Sequence, residues 1–200
     1  NLGQVHVIVI DNLDFTAADT YSGRINDEQF EWLKKDLEYV SKDTPLFVTM
    51  HASYYKYPKT TAEAVVKQTN QATKNLNALL KTYQDVHIFS AHSHLLWNID
   101  NGNIFEHKSG AVCAAWWVCG YLSPGINLGK DGAPSGYNVV TVNGKDIKWH
   151  YKATDFPATT QFATYDRNTM NLTSNRRVPN ASQTNRQKYE AEAKYWLQNG

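Results

Sequence analysis

The chain has 200 residues, 42% hydrophobic and 20% charged, with 20 Lys and Arg against 19 Asp and Glu. That is apolar material enough for one large domain or two small ones. A net charge of +1 argues against electrostatic binding of nucleic acid or acidic membranes, and no segment approaches the roughly 20 apolar residues of a membrane span. The chain opens without Met on NLGQVHVIVIDN, nearly straight into a strand, which reads as the middle of a longer protein. QVHVIVI (4–10) is a β-branched run that suits a buried parallel strand. INDEQFEWLKKDLEYVSKD follows, with Asn26 and Gln29 as a capping-box start and Phe30, Leu33, Leu37 and Val40 at helical spacing. PLFVTM (45–50) is a second buried strand, 67–83 a second helix carrying Leu76, Leu79, Leu80 and Tyr83 on one face, and VHIFSA a third strand. Strand–helix–strand–helix–strand predicts a layered α/β sheet.

After His94 the pattern changes. LLWNID-NGN-IFEHKS predicts a hairpin on an Asn-Gly turn. GAVCAAWWVCG is apolar and aromatic, and a loop rich in Gly and Pro leads to a second Asn-Gly hairpin, YNVVTV-NG-KDIKWHYKAT, with Ile147, Trp149 and Tyr151 on one face. The chain reads as all-β from about 109 until a helical period at 183–198, a solvated amphipathic face that stops without a closing strand, as if truncated. A boundary near 108–112 divides an α/β domain (1–110) from a smaller β-rich domain (111–200). Cys113 and Cys119 would lie roughly 20 Å apart on extended chain, so they read as two buried thiols that pair only if the segment bends sharply. The sequons at Asn171 and Asn180 carry weight only in a secreted eukaryotic protein.

Three histidines stand at strand ends: His51 after PLFVTM, and His92 and His94 after VHIFSA. Ligands of open α/β sheets bind beyond the carboxyl ends of the strands, and residues i and i+2 of extended chain share one face. His92 and His94 are therefore expected to point into one crevice with His51. Neutral imidazoles suit zinc, iron or manganese, and three of them leave a coordination position open. His6, His87, His107 and His150 are expected to be hydrogen-bonded structural histidines.

In order along the chain, VIVIDN, the Gln29–Trp32–Leu33 pattern of GRINDEQFEWLKKDL, PLFVTMHAS and FSAHSH resemble the C-terminal half of the calcineurin-like metallophosphoesterases. CAAWW…DGAPSGYNVVTVNGKDIKWHYKAT resembles the β-rich C-terminal domain of one bacterial, mostly exported branch of that family. The resemblance runs from residue 1 to about 170. It implies an incomplete metallophosphoesterase α/β sandwich followed by a smaller β-rich domain. It also implies two divalent ions (Mn, Fe or Zn), a phosphate mono- or diester substrate, and export to the periplasm or cell surface. His51 and His92 would bind the second metal and His94 the first. Ala91 stands where the family usually has Gly.

The family's three earlier blocks, with the bridging aspartate and the histidine that protonates the leaving group, are expected upstream of Asn1. Asp11, Asp14 and Asp19 fit none of their spacings. No catalytic residue is thus expected in this chain, which without a carboxylate to hold two cations 3.5–4 Å apart should be silent alone. Its missing N-terminal half should also leave an exposed sheet edge.

Asp11, Asn12, Ser53 and Tyr54 are candidate neighbours of the ligands or the phosphate, as is Tyr55. Trp97 and Trp116 are candidates for a substrate cleft, with Trp117 and Tyr121 beside them. DGAPSGY (131–137) reads as a tight connection set by Gly and Pro. A second reading, from another class, is a non-catalytic β-rich module that binds a carbohydrate or protein and carries a vestigial α/β portion.

Overall fold

Short β-branched runs joined by stretches of helical period pair as parallel strands, with helices crossing over between them. The computed structural model describes residues 4–55, 71–111, 121–123, 126–127, 129 and 133–161. The chain runs β1 (His6–Ile10), β2 (Leu13–Ala17), β3 (Thr20–Gly23), α1 (Asp27–Leu37), β4 (Leu46–Met50), α2 (Gln71–Leu80), β5 (Val86–Ser90), β6 (Trp97–Asn101) and β7 (Ile104–Lys108). Beyond these lie β8 (Tyr121–Ser123), β9 (Ile126–Asn127), β10 (Gly136–Asn143) and β11 (Asp146–Ala153). The central sheet has the order β1-β4-β5-β7-β6, parallel throughout except for β6. This is the layered α/β sheet that the alternation of strands and helices predicts.

The chain divides into two compact units. One comprises 1–93, 97–109 and 140–148, and the other 94–96, 110–139 and 149–200. In the first, the register places Ile8, Val48, Ile88 and Glu106 side by side, with Leu46, Val86 and Ile104 in the next row. The apolar members of this face close a core with Phe30, Leu33 and Leu37 of α1 and Ala72, Leu76 and Leu80 of α2. Asn26 caps α1 by accepting from the Gln29 N–H at 2.8 Å, and Asp27 and Glu28 in the first turn suit the helix dipole. The capping box is only half made, because the Gln29 side chain bonds the backbone of Asp11 instead. Tyr83 donates its hydroxyl to the Leu37 carbonyl at 3.0 Å, which satisfies an end carbonyl of α1.

Two turns differ by one residue from the expected register. Asn101 pairs with Ile104, so Gly102 and Asn103 form the first turn, and Gly144 and Lys145 form the second. Gly102 and Gly144 have φ of +74° and +64°, the region in which a Cβ is strained and glycine is not. The β2–β3 hairpin was not anticipated. In the second unit, β8 and β9 form a two-stranded sheet, and Tyr151 donates to the carbonyl of Pro134. Cys113, Cys119, Trp116, Trp117 and the helix read at 183–198 lie outside the described residues, as does the start of the helix read at 67–83.

The opposite face of the central sheet carries Phe47, His87, Phe89, Phe105 and His107. His87 Nδ1 and His107 Nε2 are 2.8 Å apart and their rings stack at 5.1 Å, while Phe89 stacks on His107 at 4.8 Å. Burial pushes both imidazoles below their usual range, His107 to about 3, with His87 beside it adding to the shift. Asp85, 3.1 Å from His87 Nε2, opposes the shift at His87 only in part. His6 bonds Asp36 at 2.6 Å, so these three are hydrogen-bonded structural histidines, whereas His150 is exposed.

A group whose folded pKa is depressed below about 6.5 stays neutral in the native state while the unfolded chain takes up a proton, so stability falls as pH drops through that window toward about 3. Urea unfolding at pH 7 and pH 5 should show a loss on the order of 2 kcal/mol from His107 alone, and a smaller slope in His107→Leu. Two of the buried tyrosines, Tyr83 and Tyr54, should separate cleanly. Tyr83→Phe loses a hydrogen bond and about 1 kcal/mol. Tyr54→Phe removes a buried hydroxyl that has no partner among the described residues, and its unfolding midpoint should match or exceed that of the wild type.

Candidate functional site

Because β1, β4 and β5 are parallel, the residues that follow Ile10, Met50 and Ser90 emerge along one edge of the sheet, where α/β sheets bind ligands. Polar clamps fix these three exits. Gln29 accepts from the Asp11 N–H at 2.8 Å and donates to the Asp11 carbonyl at 2.7 Å. Asn12, buried, donates to the Ala52 carbonyl at 2.9 Å and accepts from the Ala52 N–H at 2.8 Å. The Ala91 N–H donates to the His51 carbonyl at 3.0 Å, and the Ser53 hydroxyl to the Ala91 carbonyl at 3.4 Å. The bonds to Ala52, His51 and Ala91 grip backbone at or next to a proposed ligand, so they set where an imidazole starts, while Gln29 fixes the exit of β1.

A fourth clamp is a carboxylate. Glu106, fully buried, accepts from the N–H groups of Tyr54 (2.7 Å) and Tyr55 (2.9 Å) and from the Ser90 hydroxyl (2.5 Å). It ties the segment after β4 to the ends of β5 and β7. A buried carboxylate with three donors replaces most of the hydration it gives up.

His51 Nε2 and His92 Nδ1 are 2.9 Å apart, with one ring donating and the other accepting, and the rings meet edge to face at 5.0 Å. The expectation that His92 and His94 share one face of extended chain is overturned. β5 ends at Ser90, and His92 and His94 have φ of +59° and +53°, so the i, i+2 rule of a strand does not apply to them. His94 belongs to the second unit. Among the described residues, no group of three or more His, Cys, Asp or Glu is gathered as a metal site.

The pair does suit half of one. Zinc holds nitrogen at about 2.0–2.1 Å, which sets two tetrahedral nitrogen ligands about 3.3 Å apart. To admit an ion the two rings would turn as well as part, and imidazole nitrogens are the right kind of donor for Zn, Fe or Mn.

The remaining candidates fall in distinct places. Asp11 is exposed, and its carboxylate accepts from the Leu13 N–H at 3.0 Å. Asn12 and Ser53 serve the clamps. Tyr54 and Tyr55 lie in the core with rings 5.0 Å apart, so both face away from solvent. Trp97 is half-buried against the core, with the Lys108 ammonium 5.2 Å over its ring.

Sequence reasoning missed Tyr21, whose hydroxyl is 3.5 Å from His92 Nε2. It missed the role of Glu106 as well. Gln29 was legible as half of a capping box and as part of a family pattern, and its bond to the Asp11 backbone is not readable from spacing.

With that geometry in place, one comparison bears on identity. Residues 106–197, just under half of the chain, match the family model described as "C terminal of Calcineurin-like phosphoesterase". The match begins at the buried glutamate and leaves His51 and His92 outside it. No curated protein matches the chain.

Two substitutions test the clamps. Asn12→Leu should leave the Ala52 N–H and carbonyl buried and unpaired, at a cost of about 2–4 kcal/mol in urea unfolding. Glu106→Gln sets an amide donor against backbone donors and should cost about 2 kcal/mol or more. Values within about 0.5 kcal/mol of wild type would remove both from the architecture of the site.

Proposed function

We propose that this chain, which carries the C-terminal segment of a calcineurin-like phosphoesterase in residues 106–197, belongs to a metal-dependent hydrolase of phosphate mono- or diesters. The observation that carries the reading is the convergence of His51 Nε2 and His92 Nδ1 at 2.9 Å beyond two neighbouring parallel strands. In this reading His51, His92 and His94 are ligands of two divalent ions. The carboxylates that would hold those cations together are supplied by chain preceding Asn1, so the segment alone is inactive. Bound ions of this kind polarise the phosphoryl oxygen and supply a water-derived nucleophile.

The work of this chain's own residues is positional. Gln29 and Asn12 hold the exits of β1 and β4 in register, and the Ala91 N–H holds β5 to His51. Glu106 locks the segment that follows His51, so the imidazoles are oriented before a substrate arrives. We further read residues 111–200 as a β-rich domain of the bacterial exported branch, active in the periplasm or at the cell surface. The strands β8 to β11 and the likeness of residues 113–153 support that part of the reading.

Calorimetric titration of the chain with Zn²⁺ or Mn²⁺ should show uptake that falls at least about 100-fold in His51→Ala and in His92→Ala. Unaltered uptake in both variants would sink the metal assignment. The longer protein that includes the preceding blocks should hydrolyse an aryl phosphate, and His92→Ala should abolish this.

A further inference from the structure

The β2–β3 hairpin is mounted on the site by the same clamps that hold the ligands. Asp11, gripped by Gln29, accepts from the Leu13 N–H at the base of the hairpin, and Asn12 ties the preceding turn to Ala52. Arg24 pairs with Asp14 on one of its faces. On the other, Phe15 and Tyr21 are direct cross-strand partners with ring centroids 5.6 Å apart. Tyr21 then stands edge-on to His92, with centroids at 5.8 Å and an interplanar angle of 89°.

Both rings nevertheless remain open to solvent, Phe15 at 62% and Tyr21 at 46% exposed. Cross-strand aromatic pairing explains why the two rings touch each other. It does not explain why an aromatic face runs without a break into the ligand pair.

We propose that Phe15 and Tyr21 form a specificity wall that takes a flat, apolar group of the phosphate ester's alcohol portion, seating it beside His51 and His92. The proposal rests on the phosphoesterase reading for the ester and on the hairpin geometry for the group selected. Aromatic faces reward another flat ring by offset or edge-to-face packing and by removal of apolar surface from water. A short uncharged aliphatic alcohol, with little apolar surface to bury, would gain little from them. The Tyr21 hydroxyl contributes to the tilt of the ring over His92, not to the selection, so phenylalanine should serve in its place.

The test uses the full-length protein with Zn²⁺ or Mn²⁺ and two probes, phenylphosphonate and methylphosphonate, titrated by calorimetry. Phenylphosphonate should bind about tenfold more tightly, a gain of the size that one aromatic pair supplies. Phe15→Ala and Tyr21→Ala should each erase most of that preference, while Tyr21→Phe keeps it. Circular dichroism on each variant confirms that the fold is retained.

Equal affinity for the two phosphonates, binding of neither, or a preference untouched by Phe15→Ala overturns the wall. Hydrolysis assays separate this from the wider reading. If phenyl and alkyl phosphates are both cleaved and their kcat/KM ratio is the same in Phe15→Ala, the wall fails and the phosphoesterase stands. If neither ester is cleaved while the phenylphosphonate preference responds to Phe15→Ala, the wall stands and the phosphoesterase reading fails.

Discussion

The carboxylate of Glu106 is the constraint on which the rest of the first unit turns. It occupies a core row between Ile88 and Ile99, fully removed from water. A charge there is tolerable only where donors surround it, and the two backbone N–H groups and the serine hydroxyl that do so belong to the segment after β4 and to the end of β5. An apolar residue at 106 would pack but could not tell the segment after β4 where to lie. The glutamate therefore converts a need for solvation into a position: it makes the chain beyond His51 turn inward and buries Tyr54 and Tyr55 with it.

Around that fixed point the remaining clamps form a relay. α1 holds Asp11 through Gln29, the turn at Asn12 holds Ala52, and the backbone of His51 holds Ala91. Every link is a side chain on backbone or backbone on backbone, so few rotatable bonds separate the helix from the imidazoles. Such links lose less on ordering than contacts between two long side chains. The polar positions thus do the placing, while the apolar face against α1 and α2 supplies the cohesion.

The parts of this arrangement legible in the sequence are those with a period. β1, β4 and β5 were visible as β-branched runs and α1 as Phe30, Leu33 and Leu37, because one buried face repeats at a fixed spacing. The β2–β3 hairpin was not, since Leu13–Gly23 contains neither the Asn-Gly pair nor the proline that advertises a turn, and its alternation lasts only a few residues. Glu106 was hidden for a different reason. In a strand buried on both faces, alternation no longer separates core from surface, so an acidic residue reads as outward-facing. The histidine pair was legible as chemistry but not as geometry. The chain after VHIFSA reads as staying extended through His94, whereas β5 ends at Ser90 and both histidines take positive φ.

That departure has its own consequence. His92 and His94 hold a left-handed backbone that costs residues with a Cβ about 1 kcal/mol each, and glycine almost nothing. If conformation alone were selected, glycine would occupy both places and the chain would fold more firmly. Two side chains kept where the backbone would favour none are what the metal reading proposed above requires, at some cost to folding. Variants of this chain chosen only for heat resistance would be drawn toward losing these imidazoles first.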